Sequence, residues 1–364
     1  MSEKLRLVVL FGGRSGEHEV SLMSARSVMD ALKPERYEVI PVGIAKDGRW
    51  LAGPGVWEAL REGRTDGLTP VTLLPDPSRR GLWAWEGEAL RPYAPVDVVF
   101  PVLHGTFGED GTLQGLLELA DVAYVGAGVV GSAVGMDKGI FKDVMRAHGL
   151  PLAPYVVLSR REVEVDIEAA AGRCEAVSDY PLFVKPANLG SSVGITKAHD
   201  RRELLDGLRL AARYDRRIVV ERGLDAREIE VSVLGNAEPR ASVAGEIIPA
   251  GEFYSYEAKY EDESSRLLIP APLSDEQMET VRALAVKVYR AIDAAGMARV
   301  DFLLDRQDGV FYINEANTLP GFTQISMYPK LWEATGLAYS DLLDELVRLA
   351  LERKAERERT RWER

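Results

Sequence analysis

Ala298-Arg299-Val300-Asp301-Phe302-Leu303 and Phe311-Tyr312-Ile313-Asn314-Glu315-Ala316-Asn317 read as two short strands, with Gln307-Asp308-Gly309 between them. Asp-Gly is a hairpin signal because glycine tolerates the positive φ such turns need. With the turn centred on Asp308, Asp301 falls opposite Glu315 and Arg299 opposite Asn317. Side chains alternate between the faces of a strand, so these four share one face. Val300, Phe302, Tyr312 and Ala316 are expected on the other, toward a core. Directly opposed carboxylates repel. A divalent cation would remove that conflict, and Mg²⁺ takes a few hard oxygen ligands and completes its shell with phosphate oxygens and water. The alternative is a merely solvated polar face. The next run, Asn317-Thr318-Leu319-Pro320-Gly321-Phe322-Thr323, must turn, and Gly321 allows a backbone N–H close to a ligand.

At the other end of the chain, the apolar run 5–11 leads into Gly12-Gly13 and reads as a buried parallel strand. A helix is expected over 17–32, closed by Pro34, and a second strand over 37–44. This βαβ opening predicts a parallel sheet with flanking helices. Residues 52–95, rich in Gly, Pro and Trp, are unassigned apart from small hairpins such as the one at 82–85. A strand at 97–103, a helix at 112–120 and a strand at 122–125 close the first unit. Beyond it the pattern predicts a helix at 138–148, strands at 155–158 and 182–185, a Gly/Ser loop at 188–194, a helix at 201–213 and a strand at 217–221. The last part holds a strand at 228–234, a loop over 245–270, the hairpin, and a helix from 339 that frays into the charged tail 352–364.

The 364 residues suggest about two or three domains. The composition, 46% hydrophobic and 28% charged, is that of an ordinary globular protein. No stretch approaches the roughly 20 apolar residues of a membrane span, and the N-terminal residues lack a signal-peptide pattern. The single cysteine, Cys174, excludes an internal disulfide framework and fits a reducing cytoplasm. The net charge of −12 argues against nucleic-acid or anionic-membrane partners. The excess of arginine over lysine fits a thermophile or a GC-rich genome alike.

Phe183-Val184-Lys185-Pro186-Ala187-Asn188-Leu189-Gly190-Ser191-Ser192-Val193-Gly194-Ile195 could cradle phosphate through exposed backbone N–H groups. It is not a P-loop, because no Lys-Ser/Thr pair follows the glycines, and a surface hairpin is the alternative. Gly12-Gly13-Arg14-Ser15-Gly16-Glu17 follows the first strand, where α/β sheets bind ligands, but lacks the dinucleotide fingerprint. Glu17 and His18 would favour the helix dipole or greet a substrate ammonium group. The 245–270 stretch, with three tyrosines and a lysine, reads as a lid or as an insertion.

Taken together, these segments resemble the D-alanine–D-alanine ligases of the ATP-grasp superfamily. The matching stretches are F-G-G-R-S-G-E-H-E-V-S (11–21), H-G-T-F-G-E-D-G (104–111), G-M-D-K (135–138), F-V-K-P-A-N-L-G-S-S-V-G-I (183–195), V-E-R-G-L-D-A-R-E-I-E-V (220–231), Y-E-A-K-Y (256–260), A-R-V-D-F (298–302) and N-E-A-N-T-L-P-G-F-T (314–323). Any one is weak; the ordered set is specific. The resemblance implies an α/β fold, α+β in its C-terminal part: a three-domain ATP-grasp architecture with an N-terminal parallel-sheet preATP-grasp domain. The domains are expected at 1–125, 126–217 and 218–364. It implies that ATP phosphorylates one D-alanine and that the amine of a second displaces the phosphate, making D-alanyl-D-alanine for peptidoglycan.

The same resemblance implies a role for each matching residue. Lys138 and Lys185 would contact the ATP phosphates, under a loop containing Ser192. Lys259 would join the nucleotide site, Glu221 would hold the adenine and Glu228 the ribose. Asp301, Glu315 and Asn317 would bind two Mg²⁺ ions, with Mn²⁺ as a substitute and a monovalent cation such as K⁺ as an open question. Arg299 and the Gly321 N–H would stabilise the developing oxyanion, an effect of about 10²–10³ in rate for such donors. Glu17 would take the ammonium of the first D-alanine, with His104 nearby, and Ser326 the carboxylate of the second. Ser191 and Tyr260 would link loop, lid and Glu17 against water, which hydrolyses acyl phosphates.

Family members are usually homodimers. Tyr260 in the Ala-Lys-Tyr lid sequence resembles the dipeptide-forming enzymes rather than the D-alanine–D-lactate ligases. A depsipeptide ligase, or another ATP-grasp ligase, is the competing enzyme. A non-catalytic ATP-binding protein would be favoured by loss of Arg299, Glu315 or Asn317, and all three are present. A nicotinamide-dependent oxidoreductase is disfavoured by the missing fingerprint.

Overall fold

The computed structural model describes residues 4–190, 193–248 and 266–361. Three sheets succeed one another along the chain. The first contains β1 (Leu5–Gly12), β2 (Tyr37–Ile44), β3 (Trp50–Ala52), β4 (Thr69–Leu73), β5 (Leu82–Glu86), β6 (Ala89–Ala94), β7 (Val98–Val102) and β8 (Ala123–Tyr124), in the order β6-β5-β4-β3-β2-β1-β7-β8. The expected parallel unit is its β2-β1-β7-β8 half. Residues 52–95 extend it as an antiparallel meander through β6.

The second sheet, β11-β10-β12-β9, comprises β9 (Tyr155–Ser159), β10 (Leu182–Pro186), β11 (Thr196–Ala198) and β12 (Arg217–Arg222). The boundary expected at 217/218 falls inside β12, which pairs with β10 and β9. The third sheet, β15-β14-β13-β16-β17, comprises β13 (Ala226–Gly235), β14 (Arg240–Ile248), β15 (Arg266–Leu268), β16 (Gly296–Asp305) and β17 (Phe311–Asn317). The loop expected over 245–270 therefore begins and ends as strand: Glu246, Ile247 and Ile248 pair with Leu268, Leu267 and Arg266. Its middle lies outside the described residues.

The helix expected over 17–32 is His18–Ala31, and that expected over 138–148 is Lys138–Ala147. The tail expected to fray is helical to Glu358. Ion pairs hold it: Lys354 bonds Glu358 at 2.9 Å, Arg357 bonds Asp121 at 2.9 Å, and Arg353 stacks 4.0 Å from the Tyr124 ring centroid.

That last helix, Tyr339–Glu358, belongs to the core of the first sheet. Leu342, Leu343, Leu346 and Val347 pack in one buried cluster with Leu7, Val9 and Phe100 of that sheet and with Leu319, Phe322 and Trp332. Phe322 meets Phe100 edge-on, centroids 5.9 Å apart, and Tyr339 donates its hydroxyl to the Phe322 carbonyl at 2.6 Å. The turn after β17 is thus clamped between the first sheet and the C-terminal helix.

Leu346 is fully buried there. Leu346→Ala is expected to lower unfolding stability by about 2–5 kcal/mol, the range for a leucine cavity in a packed core, read from urea denaturation.

Candidate active site

The β16–β17 register at the site is the expected one: Arg299 faces Asn317 and Asp301 faces Glu315. The route to it differs. Asp305 N–H bonds Val310 O and Gly309 N–H bonds Asp305 O, both at 3.0 Å, so the turn centres between Gln307 and Asp308. Next to it Leu304 faces Phe311 and Phe302 faces Ile313, and a bulge follows before Asp301. The one extra residue, Asn314, restores the pairing. Tyr312, expected in the core, is displaced from it: Ile313 is 1% exposed there, while the Tyr312 hydroxyl bonds Asp308 at 2.9 Å. Val300, Phe302 and Ala316 are buried as expected.

On the polar face, the Arg299 guanidinium grips Asp301 with two hydrogen bonds of 2.7 Å and lies 3.0 Å from Glu230. Burial works against this charge, but the Asp301 and Glu230 carboxylates outweigh it and hold the Arg299 pKa well above the ordinary value. Asn317 Nδ2 donates to Asp301 at 2.9 Å, which leaves its amide oxygen as the remaining acceptor.

The second sheet and the helix Lys138–Ala147 supply the cations. Lys185 on β10 pairs with Glu221 on β12 and donates to Asn314 Oδ1 at 3.2 Å. Glu221 is also paired with Lys142 at 2.6 Å. Burial opposes ionisation of Glu221, and the two lysines more than offset it, leaving its pKa below the ordinary range. Lys138 opens its helix because Asp137 caps it, accepting the N–H groups of Gly139 and Ile140 at 3.0 Å. The Lys138 ammonium bonds the Leu189 carbonyl at 2.7 Å and lies 3.9 Å from Glu315. Asn188, at the base of the glycine loop, is tied to Asp137 and Asp215 at 3.1 Å each. Lys138, Lys185, Glu221, Glu228, Asp301 and Glu315 converge on one cavity of about 230 Å³ between the second and third sheets.

Glu17 lies against Gly190, which lines this cavity. It begins its helix without a side-chain capping bond. Its Oε2 instead sits where a side chain on Gly105 or Gly190 would be: a Cβ added there would lie 2.5 Å or 3.0 Å away. Gly105, at φ +73°, could not readily be another residue in any case.

His104 bridges the first sheet to the turn after β17, with Nδ1 3.1 Å from Leu319 O and Nε2 3.2 Å from Ser24 Oγ. A carbonyl only accepts, so Nδ1 carries the proton. Burial lowers the pKa of the imidazole and favours its neutral form. Ser326 Oγ accepts the Thr323 N–H at 3.0 Å, and a Cβ on Gly321 would lie 2.9 Å from the same oxygen. Ser191, Ser192, Lys259 and Tyr260 lie outside the described residues.

Four participants escaped the sequence reading: Glu230, Asn314, Lys142 and Glu109. Glu230 shares a polar face with Asp301 only once β13 and β16 pair. Asn314 enters through a bulge, which no alternation pattern shows. Lys142 had a signal, since it lies four residues after Lys138 on one helix face. Glu109 stood in the H-G-T-F-G-E-D-G motif. It accepts the Gly105 N–H at 2.8 Å, and burial together with the Glu17 charge pushes its pKa up to about 8.

Two antiparallel sheets that close on a cavity, lysines from one facing carboxylates from the other, place the protein in the ATP-grasp class of ATP-dependent ligases. Residues 6–127 match the family model for the D-ala D-ala ligase N-terminus, and residues 144–348 match that for the C-terminus. The chain is 56% identical over 353 residues to the D-alanine–D-alanine ligase of Thermoanaerobacter sp. (strain X514), covering 96% of this chain and 97% of the relative. It is 53% identical over 361 residues to that of Heliobacterium modesticaldum, covering 99% and 98%. Among solved structures it resembles the D-alanine–D-alanine ligase from Coxiella burnetii, with TM-score 0.84, 37% identity and coverage of 98% and 97%. It also resembles the VanG D-Ala:D-Ser ligase from Enterococcus faecalis, with TM-score 0.85, 35% identity and coverage of 96% and 100%. The chain belongs to the D-alanine–D-alanine ligase family. Among the described residues no helix is long and apolar enough to cross a membrane.

Glu109 gives a pH test. Its carboxyl ionises near 4.5 in an unfolded chain and near 8 in the fold. Between those values the folded state holds the extra proton, so stability falls as pH rises and levels off above the folded value. Glu109→Gln removes this slope. Urea midpoints from about pH 5 to about pH 9 are expected to move in favour of the variant as pH increases.

Proposed function

We propose that the protein joins two D-alanines to D-alanyl-D-alanine at the expense of ATP, as a step in peptidoglycan synthesis. The observation that carries this reading is the convergence of Lys138 and Lys185 with Asp301 and Glu315 on one cavity, with Asn317 bonded to Asp301 and Glu17 set against Gly190 of the cavity wall. The γ-phosphoryl group passes to a carboxylate oxygen of the first D-alanine, giving an acyl phosphate and ADP. The amine of the second D-alanine then attacks the acyl carbon, loses a proton, and phosphate leaves.

Lys138 and Lys185 orient the phosphates beneath the glycine loop, Glu221 meets the adenine and Glu228 the ribose. Glu17 holds the first ammonium group. Arg299 and the Gly321 N–H face the oxyanion, and Ser326 receives the second carboxylate. The neutral His104 holds the 319–322 turn against the first sheet, a positioning role rather than proton transfer. Ser191, Ser192, Lys259 and Tyr260 complete loop and lid in this reading.

The donor set suits a hard cation. Asp301 and Glu315 are opposed carboxylates, and Asn317 has an amide oxygen to spare. Two carboxylates and one amide oxygen would leave the rest of the shell to phosphate oxygens and water, as Mg²⁺ prefers. Bound there, two Mg²⁺ ions would offset the phosphate charge. Mn²⁺ would substitute on the same oxygens, and K⁺ activation is an assay variable. The family likeness also supports a cytoplasmic homodimer, whose mass light scattering would give.

The deciding assay is phosphate release from Mg-ATP with D-alanine, L-alanine, or D-alanine plus D-lactate or D-serine, with products identified by mass. D-serine is included because of the likeness to VanG. Release with D-alanine and not L-alanine, yielding the dipeptide, is expected. Dominant depsipeptide or D-alanyl-D-serine formation at neutral pH would reassign the second substrate.

Glu315→Gln removes half of the opposed carboxylate pair. It is expected to lower kcat/KM by at least about 100-fold, while calorimetry finds metal-free nucleotide binding within a few-fold of wild type.

A further inference from the structure

Lys142 is a buried cation that the reading above leaves without a task. It lies one helical turn after Lys138, on the same face of the helix Lys138–Ala147. The two lysines diverge in their contacts. Lys138 lines the cavity; Lys142 does not. The Lys142 side chain is 2% exposed, and its ammonium lies 2.6 Å from Glu221 Oε2 and 5.6 Å from the Tyr155 ring centroid. Lys185 takes the other oxygen of the same carboxylate, and Lys185 and Glu221 both line the cavity. Glu221 is therefore held by one lysine from behind and by another from the ligand side.

A buried carboxylate stripped of its only partner is strongly unfavourable. If Glu221 had Lys185 alone, any nucleotide phosphate drawing Lys185 away would strand it. With Lys142 behind, that exchange leaves Glu221 matched. We propose that Lys142 is a positioning residue for the nucleotide: a permanent counter-ion to Glu221 that frees Lys185 to trade this carboxylate for a phosphate oxygen. The inference rests on the reading of the cavity as the ATP site. Lys142 acts through Glu221 and touches no ligand, so its effect must vanish when Glu221 carries no charge.

That requirement defines the experiment, a double-mutant cycle on the full-length protein. It uses Lys142→Met, Glu221→Gln and the pair of changes together. ATP affinity is read by calorimetry, and kcat and both KM values by ADP release. Glutamine at 221 keeps an acceptor for the adenine.

Lys142→Met alone is expected to weaken ATP binding by about tenfold or more, with kcat at saturating ATP and the KM for D-alanine within about twofold of wild type. In the Glu221→Gln background the same change is expected to alter ATP affinity by less than about twofold. Equal weakening in both backgrounds would overturn the proposal, as would a fall in kcat at unchanged ATP affinity. Should the single variant not fold, the comparison of Glu221→Gln with the double variant decides alone. A wild-type protein that binds ATP without turning over D-alanine would refute the ligase reading, and the binding ratios would still decide the role of Lys142. Absence of ATP binding by the wild type would overturn both.

Discussion

Charge taken out of water has to be matched by charge, and the cavity between the second and third sheets is organised around that constraint. Glu221 lies between Lys142 and Lys185, and Arg299 between Asp301 and Glu230. Lys138 leans on a carbonyl of the glycine loop with Glu315 beyond it. Most of these pairs lie within one sheet or between it and a flanking helix; Lys138 to Glu315 and Lys185 to Asn314 reach across to the third sheet, which shares no hydrogen-bonded strand with the second. Several have a partner on the cavity surface that can exchange a protein contact for a ligand. Preorganisation and exchangeability thus come from the same ion pairs.

Where those charges sit depends on the backbone. Without the bulge at Asn314, the register set by the turn would put Glu315 on the buried face and Asn314 opposite Asp301. The extra residue keeps Glu315 in the cavity and adds an oxygen that Lys185 uses. Near Glu17 the backbone acts by omission. Gly105 and Gly190 lack the Cβ atoms that would occupy the place of its carboxylate, so a group at the start of the first helix reaches Gly190 in the wall of the cavity between the other two sheets.

The turn after β17 carries the third kind of coupling. His104 holds Leu319, Phe322 packs on Phe100, and Tyr339 of the C-terminal helix holds the Phe322 carbonyl. The C-terminal helix also buries its leucines in the first sheet's core and forms ion pairs with Lys33 and Arg36 through Asp344. The last segment of the chain therefore closes onto the first. Gly321 and Ser326, assigned here to the reacting groups, sit on a turn braced from both sides.

Much of this was legible in the sequence. The parallel opening, the helix at Lys138 and the existence of the hairpin followed from periodicity and turn chemistry, because those signals are local; the pairing of its four polar residues came out as expected only because the bulge at Asn314 offsets the displaced turn. The family likeness followed from motif order. The antiparallel extension through residues 52–95, the strands hidden at the ends of the 245–270 loop and the helical tail were not legible: short or charged segments there owe their state to pairing partners far along the chain. Lys142, Glu230 and Glu109 were given no role by the sequence reading. Their burial, and hence their electrostatics, exists only once β12, β13 and the 104–111 turn surround them. Sequence by itself determined the elements and the chemistry available, since backbone propensity and residue type are local properties. Tertiary structure alone decided which charges face each other without water between them, because desolvation is a property of everything packed around a group.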